Sequence, residues 1–212
     1  MGQRLPGPRA LALLLPVLLG VLGVSGCRRT GLHRFDPAGL AGPQLGQPIP
    51  KPDFTLTTTA GQAFNFRQET KGFVTLLFFG YTHCPDICPV HLANIAAAMS
   101  RLGPEVNNQL KVVFVTTDPA RDTPDVMRRW LDKFDPRFIG LVGSDSAINA
   151  ALAQLRMGTP EKETGTDPVN YTIGHPALVL AFTRDDSAHV VYPFGIRQAD
   201  WAHDLRLLAQ GG

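Results

Sequence analysis

Apolar positions along the chain fall into two kinds of run. Phe73–Gly80 (FVTLLFFG), Lys111–Thr117 (KVVFVTT) and Ala177–Phe182 (ALVLAF) are short, continuous apolar stretches. They read as strands buried on both faces. Between and after them lie stretches of helical character: Pro89–Leu102, Thr123 to about Lys133, Ser144–Leu155 and Gln198–Ala209. Thr123-Pro124-Asp125 is a strong helix start. The threonine caps, the proline presets φ in the first turn, and the acid meets the positive end of the helix dipole. Phe54–Thr58 and Gln62–Phe66 flank Ala60-Gly61 and predict a β-hairpin. Ile139–Val142 and His189–Tyr192 are predicted as short strands, the second following a turn at Arg184–Ser187. Strands alternating with helices predict an α/β fold with a mostly parallel central sheet, flanked by helices and preceded by the hairpin. The late hairpin makes part of that sheet antiparallel.

The amino terminus follows another pattern. Arg4 and Arg9 precede Ala10–Val24, an almost wholly apolar run broken by Pro16, Gly20 and Gly23. This is a signal peptide's positive n-region and h-region, too short and interrupted for a comfortable membrane span. Val24-Ser25-Gly26-Cys27 resembles the lipobox of bacterial lipoproteins. Residues 1–26 are therefore expected to be a lipoprotein signal peptide, and Cys27 a lipidated first residue anchoring the protein to a membrane. Arg28–Lys51 is rich in Gly and Pro, shows no helical or strand period, and is expected to be a tether. Residues 27–51 thus form the anchor and tether, and residues 52–212 the folded domain. The expected location is the extracytoplasmic, periplasmic side of a bacterial membrane.

Charge adds an exclusion. The chain of 212 residues carries a net charge of +2, and losing Arg4 and Arg9 brings it to zero. A neutral domain without basic runs or aromatic-basic interleaving gives no reason to expect nucleic-acid binding.

Lipidation of Cys27 leaves two of the three cysteines as a pair. Cys84-Pro85-Asp86-Ile87-Cys88 follows a predicted strand and precedes a predicted helix, where ligands of open α/β sheets collect. Free N–H groups and the positive dipole end at a helix start stabilise a thiolate. Four-residue spacing puts the sulfurs about one helical turn apart, able to share a metal or to close a disulfide. Two thiolates are soft ligands that suit Cu(I) or Zn, and a structural zinc site wants four ligands. A disulfide closing so small a loop removes little unfolded-chain entropy. His83 adjoins Cys84, so its side chain is expected to point elsewhere; His91, one turn after Cys88, reads as a solvated helix residue, and His189 and His203 read as surface residues.

His175 immediately precedes the strand ALVLAF. On thioredoxin-like folds a proline at this point lies across from the cysteine motif, and Pro176 fits that place. His175 then faces Cys84 and Cys88 and completes a three-ligand site with room for a labile ligand.

These residues together resemble the Sco/SenC family, whose members assist copper assembly in cytochrome c oxidase. The resemblance runs from near Phe54 to the final helix. It is sharpest in Phe79–Pro89 (FGYTHCPDICP) and in Thr117–Pro124 (TDPARDTP). It implies a thioredoxin-like fold, copper in the Cu(I) and Cu(II) states, and Cys84, Cys88 and His175 as ligands. Asp86, Asp118 and Arg121 would stand behind them. The implied partners are the copper-bearing subunit of the oxidase and a periplasmic copper donor or thiol reductant. At Gly174 and Pro176 this chain departs from the family, which commonly carries Asp before the histidine and Ser or Thr after it. Two functions remain open at this point: copper delivery, and thiol-disulfide exchange that reduces client cysteines through Cys84 and Cys88 without obligatory copper. A peroxide-reducing site is set aside, because Thr82-His83-Cys84 lacks the spacing it needs.

Overall fold

The computed structural model describes residues 1–3, 37–163 and 171–211. The chain divides between Gly31 and Leu32, and every element below belongs to the second unit. Cys27 and the apolar run before it lie outside the described residues.

The elements are β1 (Gln44–Pro50), β2 (Thr55–Thr58), β3 (Ala63–Asn65), α1 (Phe66–Glu69), β4 (Val74–Gly80), α2 (Ile87–Met99), α3 (Pro104–Asn107) and β5 (Leu110–Thr116). There follow α4 (Pro124–Leu131), β6 (Ile139–Val142), α5 (Asp145–Gln154), β7 (Glu161–Lys162), β8 (Ile173–Gly174), β9 (Leu178–Phe182), β10 (Ser187–Pro193) and α6 (Gln198–Gly211). Local chemistry sets several ends. Thr123 accepts the Val126 N–H and Ser144 that of Ala147, each a side-chain cap worth about 1 kcal/mol. Gly61 takes φ +78° in the β2–β3 turn, a conformation that costs glycine nothing.

The large sheet runs β1-β10-β9-β4-β5-β6-β2-β3. Its composition corrects one expectation: only β4–β5 and β5–β6 pair in parallel, and the other pairings are antiparallel. The helical crossovers through α2 and α4 return the chain in the same direction. Tight turns at Ala60-Gly61 and Arg184–Ser187 reverse it, and β9 enters beside β4 from the opposite end. Successive side chains of the apolar runs go to opposite faces. Leu76, Phe78, Val112 and Phe114 meet α2, α4 and α6, whereas Leu77, Phe79, Val113 and Val115 meet α1 and α5.

The tether ends sooner than its composition predicts. Gln44–Pro50 is an edge strand on β10, with Ile49 opposite Ala188 and Pro50 opposite Ser187. Buried Asp204 of α6 accepts the N–H groups of Ala41 and Gly42, at 2.9 Å each, and the Tyr192 hydroxyl. An edge strand tolerates proline and is mostly exposed, so it lacks the apolar alternation that marks inner strands. Two histidines are also corrected. His189 is buried on β10 between β1 and β9, with Nε2 2.8 Å from Asp185. His91 is buried on α2, its ring 5.0 Å from that of Phe78. His203 is half exposed beside Asp204. Among the described residues no helix is long and apolar enough to cross a membrane.

Candidate metal centre

The centre forms at the carboxyl end of β4. The strand ends at Gly80, a loop runs to Asp86, and α2 begins at Ile87. The Cys84 N–H bonds to the Tyr81 carbonyl, which bends the loop back over the helix start. Cys88 occupies the first turn of α2 and is fully buried, while Cys84 is 9% exposed. The Cys88 N–H points at the Cys84 sulfur at 3.4 Å. Cys84 thus sits where α2 has unpaired donors and its positive dipole end.

The two sulfurs are unequal. The Cys84 thiol is lowered to about 3. The hydrogen bond from the Cys88 thiol is the largest cause and outweighs desolvation; His175 and the N–H groups of Cys88 and Asp86 add to it. Burial pushes the Cys88 thiol up, and the neighbouring Cys84 charge pushes it further. The reduced pair is therefore a thiolate at Cys84 and a thiol at Cys88. Iodoacetamide should label Cys84 at a nearly constant rate from about pH 5 to 8, whereas an ordinary thiol slows roughly tenfold per unit below its pKa near 8.5. Mass spectrometry of the reduced protein checks this. A rate at Cys84 that falls with pH like a free thiol's contradicts the assignment.

His175 follows β8 and precedes β9, antiparallel neighbour of β4. Its Nε2 lies 3.5 Å from the Cys88 sulfur. The ring meets Tyr81 edge-on at 5.6 Å and lies 6.2 Å from Phe78. The ligand atoms of Cys84, Cys88 and His175 all fall within 4.8 Å of one another. Two sulfurs and an imidazole at that separation fit a soft ion such as Cu(I). An open cleft of about 290 Å³ reaches Cys84 and His175 past Tyr81, Ile87, Gly174 and Glu163, leaving room for a further ligand.

The residues expected behind the ligands divide. Asp118 is buried, accepts the Tyr171 hydroxyl at 2.7 Å and pairs with Arg121. The Arg121 guanidinium lies 3.5 Å over the Tyr171 ring and 5.8 Å over that of Tyr81. The Tyr81 hydroxyl accepts the Ile173 N–H at 3.2 Å. Asp118 and Arg121 thus act on two tyrosines that bracket the segment carrying His175, with no bond to a ligand atom among the described residues. Asp86 is exposed and contributes its backbone N–H to Cys84; its carboxylate has no hydrogen-bond partner among the described residues.

Sequence reasoning passed over Asp122, which is 1% exposed. Its carboxylate accepts the Thr82 N–H at 3.0 Å, the Thr82 hydroxyl at 2.6 Å and the Thr116 hydroxyl at 2.8 Å. It ties the loop before Cys84 to the end of β5. Asp122 precedes a capping threonine and reads as an ordinary turn acid, so only its burial distinguishes it. Gly80, too, gave no signal: a Cβ there would stand 2.7 Å from the Cys88 sulfur.

Comparison with known proteins agrees with this architecture. The SCO1/SenC family model matches residues 43–210, which carries the resemblance upstream of Phe54 through β1. The SCO2-like protein of Rickettsia felis is 36% identical over 130 residues, covering 59% of this chain and 60% of that protein. A protein of Stutzerimonas stutzeri described as a putative copper-binding protein is 36% identical over 124 residues, covering 58% and 59%. The match thus spans about 60% of the length of these relatives. Among solved structures, copper-bound ScoI of Bradyrhizobium japonicum superposes with a TM-score of 0.67 at 33% identity, covering 74% of this chain and 98% of that one. Apo Sco1 of Thermus thermophilus superposes at 0.66 with 30% identity, covering 81% and 94%. The fold is thioredoxin-like, a mixed sheet with helices on both faces. The chain belongs to the SCO1/SenC family.

Proposed function

We propose that this protein is a copper metallochaperone that helps assemble the dinuclear copper site of cytochrome c oxidase. The observation that carries the reading is the convergence of Cys84, Cys88 and His175 within 4.8 Å, with Cys84 and His175 opening onto a cleft and Cys88 buried behind them. The copper-bound Bradyrhizobium relative supports it. Copper is the cargo. Cys84 offers a preformed thiolate, Cys88 gives up its proton when it ligates, and His175 supplies an imidazole from the neighbouring loop. Three ligands hold Cu(I) and leave the open side for an incoming partner ligand, which a transfer protein needs and a closed structural site lacks. In this reading Cys27 carries the lipid anchor, the domain works on the periplasmic side, and the copper-bearing oxidase subunit receives the ion.

Copper titration of the reduced protein in competition with a chelator tests the reading. Wild type should bind stoichiometrically. His175→Ala should lose at least the roughly 10–100-fold that removal of an outer-sphere partner costs. Unchanged affinity and an unchanged visible spectrum of the Cu(II) form would remove His175 from the ligand set. Reduction of client disulfides that survives both copper chelation and His175→Ala would favour thiol-disulfide exchange instead.

A further inference from the structure

A second cavity, of about 260 Å³, adjoins the loop that carries Cys84. Thr82, His83, Val126, Arg129, Trp130 and Lys133 line it. No acidic side chain is among them. Arg129 lies in the last turn of α4 and Lys133 two residues beyond its end, both exposed. Neither side chain has an ion-pair or hydrogen-bond partner among the described residues, whereas Arg128 pairs with Asp132 at 2.8 Å and Arg137 with Asp135.

The nearby acids leave this charge standing. Asp132 is engaged by Arg128, and Asp125 lies in the first turn of α4. Asp122 is buried, with its oxygens bound to Thr82 and Thr116, although His83 Nδ1 comes within 3.7 Å of it. The walls are fixed. Trp130 packs against Phe114 at 5.2 Å and Phe134 at 5.0 Å between ring centres. The Thr82 hydroxyl donates to Asp122 at 2.6 Å and lies 3.0 Å from His83 Nδ1, which holds the His83 ring at the cavity wall. The packed Trp130 wall and two cations without partners among the described residues give the cavity a positively charged lining. Its volume suits one or two small groups, below the size of ordinary cofactor pockets.

Thr82 and His83 immediately precede Cys84, so whatever fills the cavity stands beside the metal centre. We propose that the cavity receives a carboxylate side chain from an acidic segment of the protein that exchanges copper with Cys84, Cys88 and His175. The partner's role rests on the copper reading above; the anion site does not. Charge complementarity of this kind speeds encounter and fixes register, which a handover between two open sites requires.

The test uses the reduced, copper-free full chain titrated with hexaglutamate. The Thr82 and His83 amides and the Trp130 indole should shift saturably in NMR spectra. The shifts should fade as ionic strength rises and the Debye length falls below about 8 Å. The double variant Arg129→Ala/Lys133→Ala should weaken binding at least about tenfold while keeping wild-type copper affinity, because neither residue touches a ligand. Shifts located elsewhere, or equal in the variant, would overturn the proposal. So would a response to inorganic phosphate without one to the peptide. A wild type that takes the peptide but no copper supports the anion site and sinks only the copper reading; one that takes copper but ignores the peptide does the reverse.

Discussion

Cys88→Ser is expected to abolish high-affinity copper binding and disulfide formation while leaving the fold standing. The Cys88 sulfur is the fully buried member of the centre, 3.5 Å from His175 Nε2 and within 4.8 Å of the Cys84 sulfur. A hydroxyl is shorter and harder than a thiolate, and it does not ionise at neutral pH, so it is a poor partner for Cu(I). It also withdraws the thiol hydrogen bond that chiefly holds Cys84 as a thiolate. The stability cost should stay near 1–2 kcal/mol, the range for a small buried polar group that finds one partner. Chelator competition and a thermal melt of the reduced variant give the two numbers. A variant that binds copper like wild type would strike Cys88 from the ligand set.

Gly80→Ala should cost both stability and copper affinity, although Gly80 touches no metal ligand through a side chain. Close approach is the reason, since φ here is not in the left-handed region. A Cβ would stand 2.7 Å from the Cys88 sulfur and 2.9 Å from a Phe114 ring carbon, whereas ordinary contact begins near 3.4 Å. Sulfur or strand must therefore yield by about 0.7 Å. Overpacking of this kind costs about 1–3 kcal/mol. Moving the sulfur also disturbs its separation from His175, so a loss of roughly tenfold in copper affinity is expected, comparable with an outer-sphere lesion. Gly174→Ala is the control. Its nearest neighbour would be the Glu161 carbonyl at 3.8 Å, so neither quantity should change. Equal behaviour of the two variants would show that the sulfur's seat against β4 is not what shapes the site.

Much of this architecture was legible one element at a time. The inner strands β4, β5 and β9 showed as apolar runs because both their faces are buried, and the capping Thr123 marked the start of α4. Strand β1 did not show, because an edge strand with Pro48 and Pro50 buries too little to carry a period. Strand direction was misjudged for a related reason: an apolar run records burial on two faces and is silent about which way its neighbour runs. His91 shows the same limit in a helix. Its position one turn after Cys88 fits solvent and core equally, and packing on Phe78 decides for the core.

The cysteine pair, its spacing and its place at a strand-to-helix turn follow from the sequence alone, since local order and helix geometry suffice to bring two residues of one loop together. His175 is 87 residues from Cys88, and what pointed to it was its place beside Pro176 just before the strand ALVLAF, together with the family resemblance, rather than a local spacing. Tertiary structure alone decided the rest. The pairing of β9 with β4 brings His175 to the sulfurs, and the burial of Asp122 pins the loop. The seat of one sulfur against Gly80 and the unequal burial of the two thiols set which of them carries the charge. Those are long-range desolvation and close-packing effects, and they exist only once strands distant in the chain lie side by side.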